Sequence, residues 1–299
     1  MTTEAPKPSF TTAVVEAIRA LYPQELADGA WDNTGLLLDQ AQDARLTAQT
    51  DNIVLLTNDL SAPVVDEALR VKANVIISYH PCIFRGLKSL TNSDPMQASL
   101  LRLIAAGVAV YCPHTAMDAA HGGINDWICD IVVNGQSEVR STVLQPISRS
   151  LPEGHDGAGY GRSVVLDTPL PLSTLLKNLS AGIGGQRYIS IALPPGKTDL
   201  QEVISKVAVC AGSGSSVLKG CDAQLLVTGE MSHHDALHHT QLGQIVATVF
   251  HSNSERHYLT QRLKPKLEEQ LKQSGLESYS VLVSKKDRDP FETIDVTQL

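Results

Sequence analysis

The sequence predicts an α/β protein with mainly parallel or mixed sheets, and three observations carry that expectation. Apolar runs of strand length alternate with amphipathic stretches of helical length, as βαβ units require. The runs are continuously apolar, which suits strands buried on both faces. The 299 residues are 42% hydrophobic, 19% charged and 4% aromatic, enough to pack two compact domains, or one large one, from aliphatic side chains.

Taken in order, Ser9 caps a first helix with Val14, Ile18 and Leu21 on one face and Pro23 at its end. WDNTGLLLD turns into a short apolar run. NIVLLTND then predicts a strand, APVVDEALRVKA a helix, NVIISYH a strand, DPMQASLLRLIAAG a helix and VAVYCPH a strand. Residues 1–133 are therefore read as an N-terminal α/β half. Across 134–200 Gly, Pro and Ser are more frequent, as in EGHDGAGYG, and the periodicity weakens. This is read as a central crossing region with small strand and helix content of its own. From 201 to 299 the rhythm resumes through SKVAVCAGSGSSVLKG, CDAQLLVTGE, HHDALHHTQLG and QIVATVFHSNSERHYL, closing on the strand YSVLVS. These residues form a C-terminal half.

A net charge of −8, with Lys and Arg gathered only in short groups, argues against a surface built to neutralise the phosphates of a long nucleic acid. Five widely spaced cysteines without a C-x-x-C pair predict a reduced compartment. MTTEAPKPSF has neither an apolar signal core nor transit-peptide character, and no apolar run approaches the ~18 residues of a membrane span. The expectation is a soluble cytoplasmic protein, with the nucleus left open.

Several strands end on chemically active residues. VIIS runs into Tyr79 and His80, and VAVYC runs through Pro113 into His114, with Asp118 four residues on. QLLVT ends on Gly229 and Glu230, with His233, His234 and Asp235 following; IVATVF ends on His251, with Glu255 one turn later. Parallel strands deliver ligand sites at such carboxyl ends, so the four endings are expected along one edge. Each alone is an ordinary core or surface histidine. Together, imidazoles and carboxylates without thiolates suit Zn, Mn, Fe or Co in a hydrolytic centre. His251 and Glu255, four apart, would share one helical face, although such a pair is commonly just a surface hydrogen bond. On a helix His234 and His238 share a face; at most one or two histidines of that run reach a common site, and the rest face solvent. AGSGSS reads as a tight strand-to-helix turn more readily than as a phosphate cradle. Cys82 beside His80 lacks an orienting third group and is a poor nucleophile candidate.

WDNTGLLLD, ISYHPCIFRGLKSL, YCPHTAMDAAHGGIND, VAVCAGSGSS, LLVTGEMSHHDAL and FHSNSE, in this order from about Phe10 to the C-terminus, resemble the Nif-three-like family (NGG-one-interacting factor three), often described as GTP cyclohydrolase I type 2 homologues. The resemblance implies two intertwined α/β halves, a shortened middle region and a homo-oligomer, a toroidal hexamer in many members. It implies two divalent metal ions in a single cleft, one held by His80, Asp118 and Glu255, the other by Tyr79, His251 and Glu255. The family's common pattern has a second histidine where this chain has Tyr79, a poorer ligand at neutral pH. His114, Glu230 and His234 would be acid/base or supporting groups, with Glu230 the preferred general base. The implied activity is metal-dependent hydrolysis of a small nucleotide-like or heterocyclic substrate, GTP opened at C8 with loss of formate. A metal-containing scaffold for a transcriptional co-regulator and a metal-storage role are the competing readings.

Overall fold

A computed structural model describes residues 9–40, 51–134 and 141–298. The reading of the first eight residues lies outside the described ones. The described chain divides into two compact units, one formed by the segments up to Ala116 and Leu259–Asp287, the other by Met117–Tyr258 and the segment from Arg288.

In the first unit, helix α1 (Phe10–Leu21) starts where the Ser9 hydroxyl accepts the Thr12 N–H at 3.2 Å. Val14 and Ile18 are buried, as their spacing predicts. Strands β1 (Gly35–Leu38) and β2 (Ile53–Thr57) are followed by helix α2 (Ala62–Val71), strand β3 (Val75–Ser78), helix α3 (Pro95–Ala106) and strand β4 (Ala109–Cys112). Helix α3 is bounded as its sequence requires: Asp94 accepts the Gln97 N–H at 2.9 Å, Pro95 opens the first turn, and Gly107 closes it in the left-handed region.

The first sheet runs β1-β4-β3-β2-β11, with β11 at Ser280–Val283. Its β4–β3, β3–β2 and β2–β11 pairs are parallel, and β1 joins β4 antiparallel. Leu55, Ile76 and Val110 from the sheet pack with Val64, Val65 and Ala68 of α2 and with Leu100 and Leu103 of α3. Every residue of β3 and β4 is buried, the pattern of strands covered on both faces.

In the second unit, helices α4 (His114–Ala119, whose first three residues belong to the first unit) and α5 (Ile124–Val133) precede strands β5 (Ser141–Pro146) and β6 (Gly159–Pro171). Helix α6 (Leu172–Gly182), strands β7 (Ser190–Ala192) and β8 (Val203–Ser213), the short helix α7 (Ser215–Leu218), strand β9 (Leu225–Glu230), helix α8 (His233–Gln241) and strand β10 (Ile245–Thr248) follow. Arg256–Tyr258 forms a short helical turn at the end of this stretch; from Leu259 the chain belongs to the first unit again, with a π-helical turn at Leu259–Leu263 and a helix over Lys264–Gln273.

The second sheet has the order β5-β6-β8-β9-β10-β7. Only β8–β9 and β9–β10 are parallel; its other three pairs are antiparallel. The described residues of 134–200, read from sequence as a crossing region, supply β5, β6, α6 and β7 to this unit. The four reactive strand ends therefore do not lie along one edge: β3 and β4 belong to the first sheet, β9 and β10 to the second. Continuous apolarity marks a buried strand but not its neighbours, which is why the expectation of a single edge fails. Among the described residues no helix is long and apolar enough to cross a membrane.

Candidate metal and reaction site

In the first unit the β3–β2 ladder continues beyond the strands. Tyr79 N donates to Thr57 O and His80 N to Asn58 O, both at 2.9 Å. That register carries Asp59 beside His80, where Asp59 Oδ1 lies 2.8 Å from Nδ1 of the imidazole. Tyr79 is buried, with its ring 4.9 Å from that of His80.

His114 leaves β4 with φ +29°, a conformation that L residues avoid and that the surroundings must hold. What holds it is Asp32, which the antiparallel β1–β4 pairing brings to the end of β4. Asp32 Oδ1 lies 2.6 Å from His114 Nδ1, while Oδ2 accepts from the Thr115 hydroxyl and, at 3.2 Å, from the Thr115 N–H. Burial pushes the Asp32 carboxyl up, but the bond and charge of His114, with Thr115 and the Asn33 N–H, more than offset this and hold it below its ordinary value.

In the second unit β10 is followed by Val249 and Phe250, the latter at φ +69°, before His251. His251 Nδ1 lies 2.9 Å from Glu230 Oε1 at the end of β9, and His251 Nε2 lies 3.4 Å from Glu255 Oε1. Glu255 is 1% exposed. The pair is not one turn of α-helix, as the spacing predicts. A 3-10 turn at Ser252–Ser254 separates the two residues, and the Ser254 hydroxyl donates to His251 O at 2.6 Å. Small polar residues that bond locally favour this tighter turn over a regular helix.

Two glycines make room for the group. Gly212 has φ +62°, and a Cβ there would stand 2.7 Å from Glu255 Oε1 and 3.0 Å from His251 Nε2. A Cβ at Gly229 would stand 2.9 Å from the His251 Cα and 2.8 Å from the Ser254 hydroxyl. The N–H groups of Gly212 and Gly214 donate to the hydroxyls of Ser254 and Thr228, so AGSGSS is a tight turn, as expected.

Asp118, on α4, is tied to the end of β8 through Asn125. The Asn125 amide donates to Asp118 O at 3.1 Å, and its oxygen accepts the Ala211 N–H at 2.9 Å. Burial, then the charges of Asp118 and Glu255, push the Cys210 thiol up, so both carboxylates act on the same buried sulfur. Burial likewise raises Cys82 to about 11, in keeping with its dismissal as a nucleophile.

His234 is exposed on α8, with its ring 5.3 Å from that of His233. His239, expected in solvent, is instead buried, its Nδ1 2.7 Å from Gln244 Oε1. Sequence reasoning missed Asp32 and Asp59. Asp32 stood within WDNTGLLLD, but nothing in one sequence shows that this run pairs with β4.

A model of the family Duf34/NIF3 (NGG1p interacting factor 3) matches residues 11–290. The chain belongs to this family. It is 40% identical over 289 residues to a Schizosaccharomyces pombe protein called "Protein NIF3 homolog", covering 96% of this chain and 99% of that one. It is also 40% identical over 284 residues to the Saccharomyces cerevisiae "NGG1-interacting factor 3", covering 93% and 94%. Among solved structures, a Bacillus cereus protein related to NIF3 superposes with a TM-score of 0.77 at 20% identity, over 97% of this chain and 100% of that one. Reduced HcgD from Methanocaldococcus jannaschii gives 0.70 at 19% identity, over 91% and 96%. These two likenesses carry the NIF3 fold and nothing finer.

Proposed function

We propose that this NIF3-family protein is a metal-dependent hydrolase of a small nucleotide-like or heterocyclic substrate, working with two divalent cations. The observation that carries the reading is the treatment of the imidazoles. His80, His114 and His251 each set Nδ1 against a carboxylate, from Asp59, Asp32 and Glu230 respectively. A ring whose Nδ1–H is held by a carboxylate keeps its lone pair on Nε2 and gains basicity, the arrangement common behind metal-bound histidines. A nitrogen and oxygen donor set without thiolate fits Zn, Fe, Mn or Co. The space kept by Gly212 beside Glu255 and His251 fits an arrangement in which no protein atom intrudes on their donor atoms.

The resemblance supplies the grouping: His80, Asp118 and Glu255 for one ion, Tyr79, His251 and Glu255 for the other. Such ions supply Lewis acidity and positive charge against a developing oxyanion. The chain's own residues would handle protons. His114, with Nδ1–H held by Asp32, would accept or return one at Nε2; Glu230, paired through Oε1 with His251, has Oε2 for a general base; His234 would assist from α8. Assembly into a homo-oligomer, a hexamer by resemblance, belongs to the same proposal.

The test is turnover of a nucleotide panel by chelator-washed, reconstituted protein, read by mass, with metal content measured in parallel. Asp118→Asn and Glu255→Gln should lose both metal and turnover. Glu230→Gln should lose turnover by about 100-fold or more with metal retained; loss of metal instead would make Glu230 only the support of His251. The ion next to Tyr79 should exchange faster, and two equally tight ions would overturn that part. A second reading rests on the name of the budding-yeast relative, an interacting factor. It makes this chain a scaffold for a protein partner, with nuclear access, and predicts partner binding that survives both chelation and Asp118→Asn.

A further inference from the structure

The first unit presents two large rings to solvent beside His114. Trp31 is 53% and Phe84 46% exposed, with centroids 6.0 Å apart. Trp31 stands edge-on to His114 at 5.8 Å, and His114 lies 5.5 Å from both Tyr79 and His80. Five rings thus form one series, from buried Tyr79 to Phe84 at the surface.

An exposed tryptophan alone is ordinary. This one is held in place. Its Nε1–H donates to Asp28 Oδ2 at 2.9 Å, and the Ala30 N–H donates to Asp28 Oδ1 at 3.1 Å. The Asp28 N–H in turn donates to the Thr115 hydroxyl at 3.0 Å, the same residue that bonds Asp32 behind His114. The backbone beside Phe84 is anchored as well, since the Asn33 amide donates to Ile83 O. Two apolar rings and one imidazole therefore share a single hydrogen-bonded frame. The Trp31 ring is thus set before any ligand arrives, which lowers the ordering cost of binding.

We propose that Trp31 and Phe84 form a stacking platform for a flat, π-conjugated nitrogen heterocycle and deliver it to His114. The rings supply a sequence-tolerant π surface. His114, whose Nδ1 is taken by Asp32, would accept an in-plane N–H of the heterocycle at Nε2. The inference rests on the reading above that His114 belongs to the reaction site, and it adds the residues that would hold the ring of the substrate there.

The experiment titrates the full chain, both metal-loaded and chelator-washed, with adenosine monophosphate, guanosine monophosphate and the ring-less control ribose 5-phosphate. Binding is read by calorimetry and by quenching of tryptophan emission; Trp127, the other tryptophan, is 1% exposed. At least one nucleotide should bind saturably and quench, and ribose 5-phosphate should bind at least about tenfold more weakly. Trp31→Leu and Phe84→Leu should each weaken nucleotide binding about tenfold, while Trp31→Phe keeps it close to wild type. Leucine variants that bind as tightly as wild type, equal binding of ribose 5-phosphate to the unaltered protein, or no saturable nucleotide binding into the millimolar range would each overturn the proposal. Nucleotide binding that persists while the metal-loaded protein makes no product would sink the hydrolase reading and leave the platform standing.

Discussion

In the first unit His80 and His114 emerge from the parallel neighbours β3 and β4 into a surround of aromatic rings, whereas in the second His251 emerges from β10 among carboxylates and glycines. Beneath that difference runs one device. Each orienting acid arrives from the strand hydrogen-bonded to the histidine's own: Asp59 from the end of β2 beside β3, Asp32 from ahead of β1 beside β4, and Glu230 from the end of β9 beside β10. Sheet register, rather than loop geometry, sets the pairing. Both units also leave a strand through a non-glycine residue at positive φ, His114 in one and Phe250 in the other. Such strain of about 1–3 kcal/mol is borne where the surroundings over-determine it, and it marks the same two strand ends.

The units differ in how they gain rigidity. The first relies on aliphatic packing between its sheet and α2 and α3; the second adds a buried cation. Arg162, 1% exposed, donates to both oxygens of Asp126 and to the carbonyls of Gly159, Gly161, Ala119 and Ala120. The last two carbonyls follow Asp118 directly. Arg162→Met should therefore give the largest effect, a loss of about 3–5 kcal/mol in urea unfolding, because four carbonyls lose their donor and Asp126 loses its cation, keeping only the Gly122 N–H and the Ser141 hydroxyl. Hydrogen exchange would sharpen the comparison. Amides of β6, β8 and β9 should lose protection before those of β2 and β3, and equal loss in both sheets would mean that the two cores unfold as one.

Next in size is Gly212→Ala. The substitution places a Cβ at a positive φ and against the donor atoms of Glu255 and His251. A cost of about 1–2 kcal/mol from the backbone alone is expected, plus displacement of one of the two side chains. Divalent-metal affinity of the variant should fall at least about tenfold, a drop of about 1.4 kcal/mol in binding. Unchanged affinity would show that the glycine serves only the turn out of β8.

Much of this was legible in the sequence, and the omissions share a cause. Strand ends are punctuated by residue type, so Tyr79, His80, His114, Glu230 and His251 could be picked out before any fold was known. Continuous apolarity also marked β2, β3, β4, β8, β9 and β10 as buried strands. Pairing leaves no such mark. The antiparallel join of β1 to β4 decides that Asp32 meets His114, and it depends on which strand lies next to which. For the same reason the four reactive strand ends were assigned to one edge when they belong to two sheets. The HSNSE segment misled differently: its spacing of four suits an α-helix, but the Ser254 hydroxyl bonds back to His251 O across a 3-10 turn.

The mildest perturbation bears on the device itself. Asp32→Asn keeps the shape of the side chain but removes the charge facing His114 Nδ1 and sets an amide donor among donors. Because hydrogen bonds to charged groups contribute about 1.5–3 kcal/mol, a destabilisation near the lower end is expected at pH 7. The pH dependence follows from the sign of the shift. The Asp32 carboxyl is held below its ordinary 3.8, so its contribution is complete above that value and is lost as pH falls through the lower, folded-state pKa. The stability gap between wild type and variant, read by thermal unfolding at several pH values, should be flat from pH 7 to about 5 and close below pH 3.8. A gap that stayed constant into acid would mean that the protonated carboxyl of Asp32 holds His114 as well as the ionised one, so that its charge contributes nothing there.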